Sequence, residues 1–420
     1  MTLPRIENQL NFLFSLQRKG IKLGLNHTRD LLGHINNPEK ELIMIHIAGT
    51  NGKGSTAACL NSILIESGYK VGLYTSPHLI KFNERIRVNG KPIKDDEILD
   101  FMDNVKGAIK KINSTFFETT TAMALNYFKD KNVDIAIIET GLGGRLDSTN
   151  VIKPVLTIIT SISLDHADIL GDSIEKIAHE KAGIIKENVP LIIAPQKKSV
   201  MKILKNRASE KNSEIIEVNT PQEVKIGENG TSFKIIDENL STNLIGDYQA
   251  QNISVAIAAI RYFNKSITYK LINEAIKKIN WPGRMHRVSK RIFYDVAHND
   301  AGIEHLLGTV NNLFPNSNLY GVFCLKGDKD IVSLAKQIKN RFKKLYISSD
   351  KNGLLLNASD FSKKLIDLNV KNYKDSSIKS CIKKLKSISK SNDIILIFGT
   401  HYIAEEVFKE FEIPFDTGII

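Results

Sequence analysis

Seven consecutive residues, Gly49-Thr50-Asn51-Gly52-Lys53-Gly54-Ser55, combine three glycines with a single lysine. Glycines let backbone N–H groups turn inward around an anion, and a lysine reaches the outer oxygens of a polyphosphate. An apolar run, Leu42 to Ile47, precedes the loop, and Thr56-Ala57-Ala58-Cys59-Leu60 opens a helical pattern that Gly68 can close. Strand, glycine-rich loop and helix form the geometry that holds a nucleoside triphosphate. Two departures from the pattern G-x-x-x-x-G-K-[ST] bear on the chemistry. Position 47 is not glycine, and Gly54 follows the lysine where a Ser or Thr hydroxyl usually ligates Mg²⁺. The metal must then be held from elsewhere. A Gly-Lys-Gly triplet by itself is also an ordinary turn.

Ligands of open α/β sheets sit beyond the carboxyl ends of the strands. Three polar segments occupy such positions: Thr75-Ser76-Pro77-His78, Glu139-Thr140-Gly141-Leu142-Gly143-Gly144-Arg145, and Ser161 to His166. Ser76 and Glu139 offer hard oxygen ligands suited to Mg²⁺, and His166 a further, nitrogen ligand. Each has a plainer reading: a turn start for Ser76, a partner for Arg145 in the case of Glu139, a satisfied loop histidine for His166. Glu139 resists the plain reading most, because a carboxylate ending so apolar a strand is costly unless a cation meets it. Gly141, Gly143 and Gly144 suggest close backbone approach to a ligand. Asp147 and Asn150 beyond them suit either a polar heterocycle or the cap of the next element. Lys181 lies in IAHEKAGII, a helical pattern, where it is either a solvated partner of Glu180 or a functional amine. Tyr294-Asp295-Val296-Ala297-His298-Asn299 ends a later strand, and Asn299 or Asp300 can start the helix after it.

These residues need a scaffold, and apolar runs alternate with helical patterns throughout. Strands are expected at 42–47, 71–75, 133–138, 155–160 and 190–194, with a short antiparallel patch in 210–245 and a helix Gln249–Phe263. After Trp281-Pro282-Gly283 the alternation resumes: strands 292–296, 319–325, 344–348 and 393–398, helices 301–313, 331–342 and 402–411. Ile331, Leu334, Ile338, Phe342 and Leu345 read as one apolar helical stripe. The fold class is α/β: a P-loop parallel-sheet ATPase domain with a small antiparallel patch over 1–284, and a smaller Rossmann-like domain over 285–420. The chain has 420 residues, 42% hydrophobic and 25% charged, a globular profile too long for one core. No apolar run approaches a bilayer-spanning length and the N-terminus lacks a signal-like region, which points to the cytoplasm and away from membranes. Cys59, Cys324 and Cys381 have no metal-type spacing, and Cys59 and Cys324, in apolar surroundings, read as reduced core residues. The net charge of +12 is spread along the whole chain, so nucleic-acid binding is not expected, although a positive field attracts polyanions such as ATP.

In order, IHIAGTNGKGS, YTSPHL with FNERI, IIETGLGGRLDSTN, SISLDHADILGDSIEKIAHEKAGIIK, WPGRMH and YDVAHN cover nearly the whole chain. Together they resemble the folylpolyglutamate synthase/dihydrofolate synthase family of the Mur-ligase superfamily. The resemblance implies an ATP-dependent ligase that joins L-glutamate to dihydropteroate or a reduced folate, acting as a monomer. It implies that Gly49 to Ser55 cradle ATP, with Lys53 on the phosphates. Ser76, Glu139 and His166 match the family's magnesium ligands, and Lys181 matches a lysine carbamylated to hold a second Mg²⁺. A monovalent cation is a further candidate. Asn252 and Arg284 match residues that hold adenine and phosphate, Asp295 and His298 the second domain's share of the cleft, and Phe117, Asp147 and Asn150 the pteridine site. His298 counts with Lys53 and Lys181 as catalytic and also as substrate-binding. The family often has Gly-Ala-His-Asn-Pro where this chain has Val296 to Asp300. The loop begins at Gly49, which leaves no room for the UDP-sugar domain of a cell-wall Mur ligase. The Asn-Lys-x-Asp of guanine-binding switches is missing from the sequence.

Overall fold

In the computed structural model, which describes residues 2–19, 24–350 and 353–414, the apolar runs assemble into two large sheets and one small one. The strands of the first sheet are β1 (Met44–Ala48), β2 (Val71–Tyr74), β3 (Ile86–Val88), β4 (Lys91–Pro92), β5 (Ile135–Glu139), β6 (Leu156–Ile159), β7 (Leu191–Ile193) and β8 (Ile215–Glu217). Their spatial order is β4-β3-β2-β5-β1-β6-β7-β8. From β2 to β8 all pairs are parallel, and β3 and β4 add an antiparallel edge. Every residue of β1 and β5 is buried, because helices cover both faces of a parallel sheet and leave no polar side. On one face lies the helix Lys53–Glu66, buried from Ser55 to Leu64 between the sheet and the helix Asp247–Phe263. Alanines 57, 58, 250, 256 and 259 keep that double layer thin. Helices Asp95–Ile112 and Phe116–Asp130 cover the opposite face.

A three-stranded antiparallel sheet follows: β9 (Gln222–Gly227), β10 (Gly230–Ile235) and β11 (Glu238–Thr242). The second large sheet contains β12 (His286–Ser289), β13 (Ile292–Asp295), β14 (Leu319–Phe323), β15 (Lys344–Ile347), β16 (Tyr373–Lys374) and β17 (Ile394–Phe398), in the order β12-β13-β17-β14-β15-β16. Only β12 is antiparallel to its neighbour.

The expected α/β architecture is present, with local differences. Residues 215–217 leave the antiparallel patch and extend the main parallel sheet as β8. The hairpin β3–β4 and the short strands β12 and β16 escaped the sequence reading, since two to four residues carry too little periodicity. The helix expected over 331–342 stops at Ile338, because Lys339 is extended and Asn340 is left-handed at φ +60°. The apolar stripe therefore continues with Phe342 from the turn and Leu345 from β15, and all five residues still join one core. Cys59, Cys324 and Cys381 are free and buried.

One buried polar residue sits inside β1. His46 Nε2 lies 2.8 Å from Thr149 Oγ1, and that hydroxyl donates to Asp147 Oδ1 at 2.5 Å, so the imidazole is the donor. Burial, with a smaller push from Lys186, lowers its pKa from 6.5 to about 3. Between those values the unfolded chain binds a proton that the folded chain rejects, so stability falls as pH drops through this window. The melting temperature is expected to fall below pH ~6.5, and His46→Gln, which keeps a donor without a titrating ring, to fall less steeply. Identical acid limbs in thermal melts of the two proteins would eliminate the buried imidazole as a source.

Candidate active site

The register of the first sheet decides which side chains meet. Ile47 pairs with Glu139 on one side and Ile158 on the other, so β5 and β6 end level with the start of the glycine loop. The loop is stitched to the chain after β6. Thr50 N donates to Ser161 O at 2.8 Å, Ser163 N to Thr50 Oγ1 at 3.1 Å, and Thr160 Oγ1 to Asn51 O at 2.8 Å. Gly49 has φ +156° and a Cβ there would fall 1.8 Å from Thr160 Oγ1. Gly52 has φ +90°, and its Cβ would fall 2.2 Å from Asn252 Oδ1. Asn252 is in turn held by Gln249, to which its Nδ2 donates at 3.1 Å. The helix begins at Lys53, so its unpaired N–H groups and positive end face the loop.

Charged groups converge on that helix end. Lys53 Nζ stands 3.9 Å from Glu139 Oε1, and Ser76 N donates to Glu139 Oε2 at 3.2 Å. Burial pushes the Glu139 carboxyl up, while Lys53 and the Ser76 amide pull it back. Arg145 pairs with Glu180 at 2.8 Å, which removes the plain reading of Glu139 as its partner. It likewise leaves Lys181 free of Glu180: Lys181 Nζ is buried and donates to Gly49 O at 2.7 Å. Burial, reinforced by Lys53, lowers its pKa to about 7. An amine poised there is neutral a large part of the time near neutral pH.

His166 is left-handed at φ +51° and lies three residues past Ser163, with its Nδ1 4.0 Å from Asp328 Oδ2 of the second unit. Burial brings its pKa down to about 4. Among the described residues, no three His, Cys, Asp or Glu side chains are grouped so as to hold a metal ion unaided. A cation at Glu139 would therefore draw on a hydroxyl such as Ser76, on water and on ligand oxygens, a donor set that suits Mg²⁺.

Asp295 and His298 of the second unit come to the same place, together with Arg284 at the junction. Asp295 accepts Met285 N and Ala297 N, each at 2.7 Å, and is buried, which pushes its pKa up against the pull of Arg284. His298 donates Nδ1–H to Val296 O at 2.9 Å, which leaves Nε2 facing the cleft, 3.5 Å from Asp165 Oδ2. Asn299 caps the following helix through Gly302 N, and Asp300, in the place of the family's proline, anchors Ser333 Oγ at 2.7 Å. Val296, in the place of the family's glycine, packs on Gly283 and lines the cleft.

A cavity of about 740 Å³ opens between the units, bounded by Gly54, Ser76, Glu139, Arg284 and His298, with Ile6, Phe14 and Phe82 on its apolar side. Phe117, Asp147 and Asn150 do not line it. Phe117 is packed against the turn at Gly141 and edge-on to Phe116. Asp147 accepts Leu142 N and Thr149 N, and Asn150 Nδ2 bridges Arg145 O and Gly183 O. Those two side chains brace the glycine-rich turn after β5.

Two residues in or beside the cleft escaped the sequence reading. Arg85 is buried, gives Nε–H to His78 Nδ1 at 2.8 Å, lies over the Phe116 ring, and keeps Nη1 without a partner. It was visible as the arginine of FNERI, without a clue that it points inward. His401 lines the cavity just past β17, where the strand-end argument applied to Gly399-Thr400-His401 would have found it.

The sequence matches the model of the Mur ligase middle domain over residues 47–260 and that of the Mur ligase glutamate ligase domain over 283–401. It is 36% identical to the dihydrofolate synthase/folylpolyglutamate synthase of Bacillus subtilis, over 93% of this chain and 95% of that one. Its structure superposes on a Mycobacterium tuberculosis folylpolyglutamate synthase complexed with ADP and AMPPCP with a TM-score of 0.88, at 27% identity, over 97% of this chain and 99% of that one. For Escherichia coli FolC in complex with DHPP and ADP the TM-score is 0.87, at 29% identity, over 96% and 97%.

Gly54 has a local cause. A Cβ there would lie 2.8 Å from Trp281 Cζ2, so the indole occupies the space that a larger residue needs. Gly54→Ala is expected to lower stability in urea by about 1–3 kcal/mol, and adding Trp281→Leu to recover most of the loss. An unshifted urea midpoint for the single variant would show that the indole yields freely.

Proposed function

The chain belongs to the dihydrofolate synthase/folylpolyglutamate synthase family of Mur ligases, and from that premise we propose that it carries out both activities named for its Bacillus subtilis relative. It is an ATP-dependent ligase of folate metabolism that joins L-glutamate to a carboxylate acceptor. The finer assignment is dihydropteroate as first acceptor, and reduced folates as later ones. The observation that carries the reading is the buried meeting of Lys53 and Glu139 at the mouth of a cavity shared by both units. The division into 1–284 and 285–420 is supported by the start of the second sheet at His286.

In this mechanism the acceptor carboxylate attacks the γ-phosphorus of ATP, the bond to the β,γ-bridging oxygen breaks, and ADP leaves an acyl phosphate. The glutamate amine then attacks the acyl carbon, loses a proton, and expels phosphate as the amide forms. Lys53 and the helix N-terminus at Ser55 meet the charge on the phosphoryl oxygens. Gly49, Thr50, Asn51 and Gly52 supply the loop backbone, Asn252 and Arg284 hold adenine and phosphate, and Asp295 fixes the strand end beside them. Mg²⁺, held through Ser76, Glu139 and His166 with a second ion at a carbamate on Lys181, would neutralise phosphate charge when bound. The lowered pKa of Lys181 supports that modification, since only a neutral amine adds CO₂. No residue pattern here singles out a monovalent-cation site. His298 would take the proton released by the amine, a role supported by its Nε2 at the cleft.

For glutamate, the unpartnered Nη1 of Arg85 supports a carboxylate receptor beside the cleft. For the acceptor, the apolar side of the cavity at Phe14 and Phe82 supports an aromatic ring there, while Phe117, expected as the pteridine wall, packs with Asp147 and Asn150 around the turn after β5 and outside that lining. The free, buried Cys59, Cys324 and Cys381 suit a cytoplasmic address, and action as a monomer without nucleic acid is part of the same proposal. Among the described residues no helix is long and apolar enough to cross a membrane.

The deciding experiment is phosphate release with ATP, Mg²⁺ and L-glutamate, comparing dihydropteroate with tetrahydrofolate. Both acceptors are expected to support glutamate-dependent turnover; activity with only one would reduce the assignment to a single synthase. Lys53→Ala should lower turnover about 10²-fold or more, and near-parental ligation would refute its phosphate role. Lys181→Ala should be inactive and regain part of its rate with added short carboxylic acids. Parent-like activity of that variant would sink the carbamate.

A further inference from the structure

The loop of residues 326–330, between β14 and the helix Ile331–Ile338, has no part in the chemistry above, yet it reaches the first unit. Lys329 Nζ donates to Asp165 Oδ1 at 2.8 Å, and the two side chains are only 7% and 11% exposed. The other oxygen, Asp165 Oδ2, accepts Asn299 Nδ2 at 3.1 Å. Asn299 exchanges a reciprocal pair of amide hydrogen bonds with Asn51: Asn51 Nδ2 donates to Asn299 Oδ1 at 3.2 Å and Asn299 Nδ2 to Asn51 Oδ1 at 3.1 Å. Asn51 belongs to the glycine loop and also donates to Ser163 Oγ at 3.2 Å. An unbroken polar chain thus runs from a lysine of the second unit, through a buried carboxylate, to the phosphate loop.

We propose that Lys329 is a positioning residue that clasps the second unit onto the phosphate loop and so keeps water from the acyl phosphate until glutamate attacks. The inference rests on the ligase reading. A carboxylate as deep as Asp165 needs a buried cation beside it, and Lys329 is the one bonded to it from the opposite unit. Without that ammonium, Asp165 must draw in water, and the amide pair that shares its oxygen loses its anchor. Water then adds to the acyl carbon, the bond to the phosphate oxygen breaks, and the free acid and phosphate return without an amide. ATP is spent and nothing is joined.

The test measures phosphate released per glutamate incorporated, with the full chain and a saturating acceptor. The parent should give a ratio near one. Lys329→Met should raise it several-fold while glutamate-independent binding of ADP stays within a few-fold. Lys329→Arg should return it close to the parent, and Lys336→Met, an exposed lysine on the next helix, should leave it unchanged. Where Lys329→Met lacks a cooperative melt, Lys329→Gln is read in the same way. A folded, charge-free variant with the parental ratio overturns the clasp while the ligase reading stands. A parent that incorporates no glutamate overturns the ligase reading and the clasp with it.

Discussion

Charges of both signs are held where water is scarce, and the rest of the cleft is arranged around that demand. Lys53, Glu139 and Lys181 come from three separate strand–loop–helix units of one sheet, and each is largely or wholly withdrawn from solvent. A buried charge is tolerated only beside a partner. Glu139 has the ammonium of Lys53 and the amide of Ser76, and Lys181 has the carbonyl of Gly49. None of these partners saturates its group, which leaves capacity for the oxygens of a polyphosphate and its counter-ions. The parallel sheet makes this affordable, because its helices fix the strand ends to within a residue and the groups need no searching to meet.

The second unit completes the arrangement from outside. It contributes no phosphate loop, but its strand end supplies His298, and Asp295 braces the turn from Met285 to Ala297 beneath it. The junction is tight rather than a loose tether. Trp281 lies on Gly54, and Val296 donates its amide to Gly283 O at 3.0 Å. The residue after the lysine is therefore small because an aromatic ring from the interdomain junction already fills its space.

How much of this was legible depended on whether the cause was local. The strand, loop and helix around Lys53 were readable because a largely apolar run, broken only by His46, and three glycines admit few other conformations. Glu139 was readable from cost alone, as an acid directly after the apolar stretch Ile135 to Ile138. Helix ends were less so: the left-handed Asn340 helps end a helix whose apolar stripe runs on to Leu345. Arg85 and Lys329 were illegible in a deeper sense. Each stands in a polar stretch that looks solvated, and each is buried by segments far away in the sequence. Spacing along a chain says nothing about such partners. The roles of Asp147 and Asn150 were ambiguous for the same reason, since the backbone groups they hold belong to a turn whose path only the fold defines.

The cleft draws its walls from almost the entire length of the polypeptide, with Ile6 of the first helix and His401 near the last one bordering the same space. During synthesis the glycine loop and its helix are in place long before the residues that close the chamber have left the ribosome. A chain cut short of its last helices would thus lack one wall of the cleft, however well its glycine loop is formed.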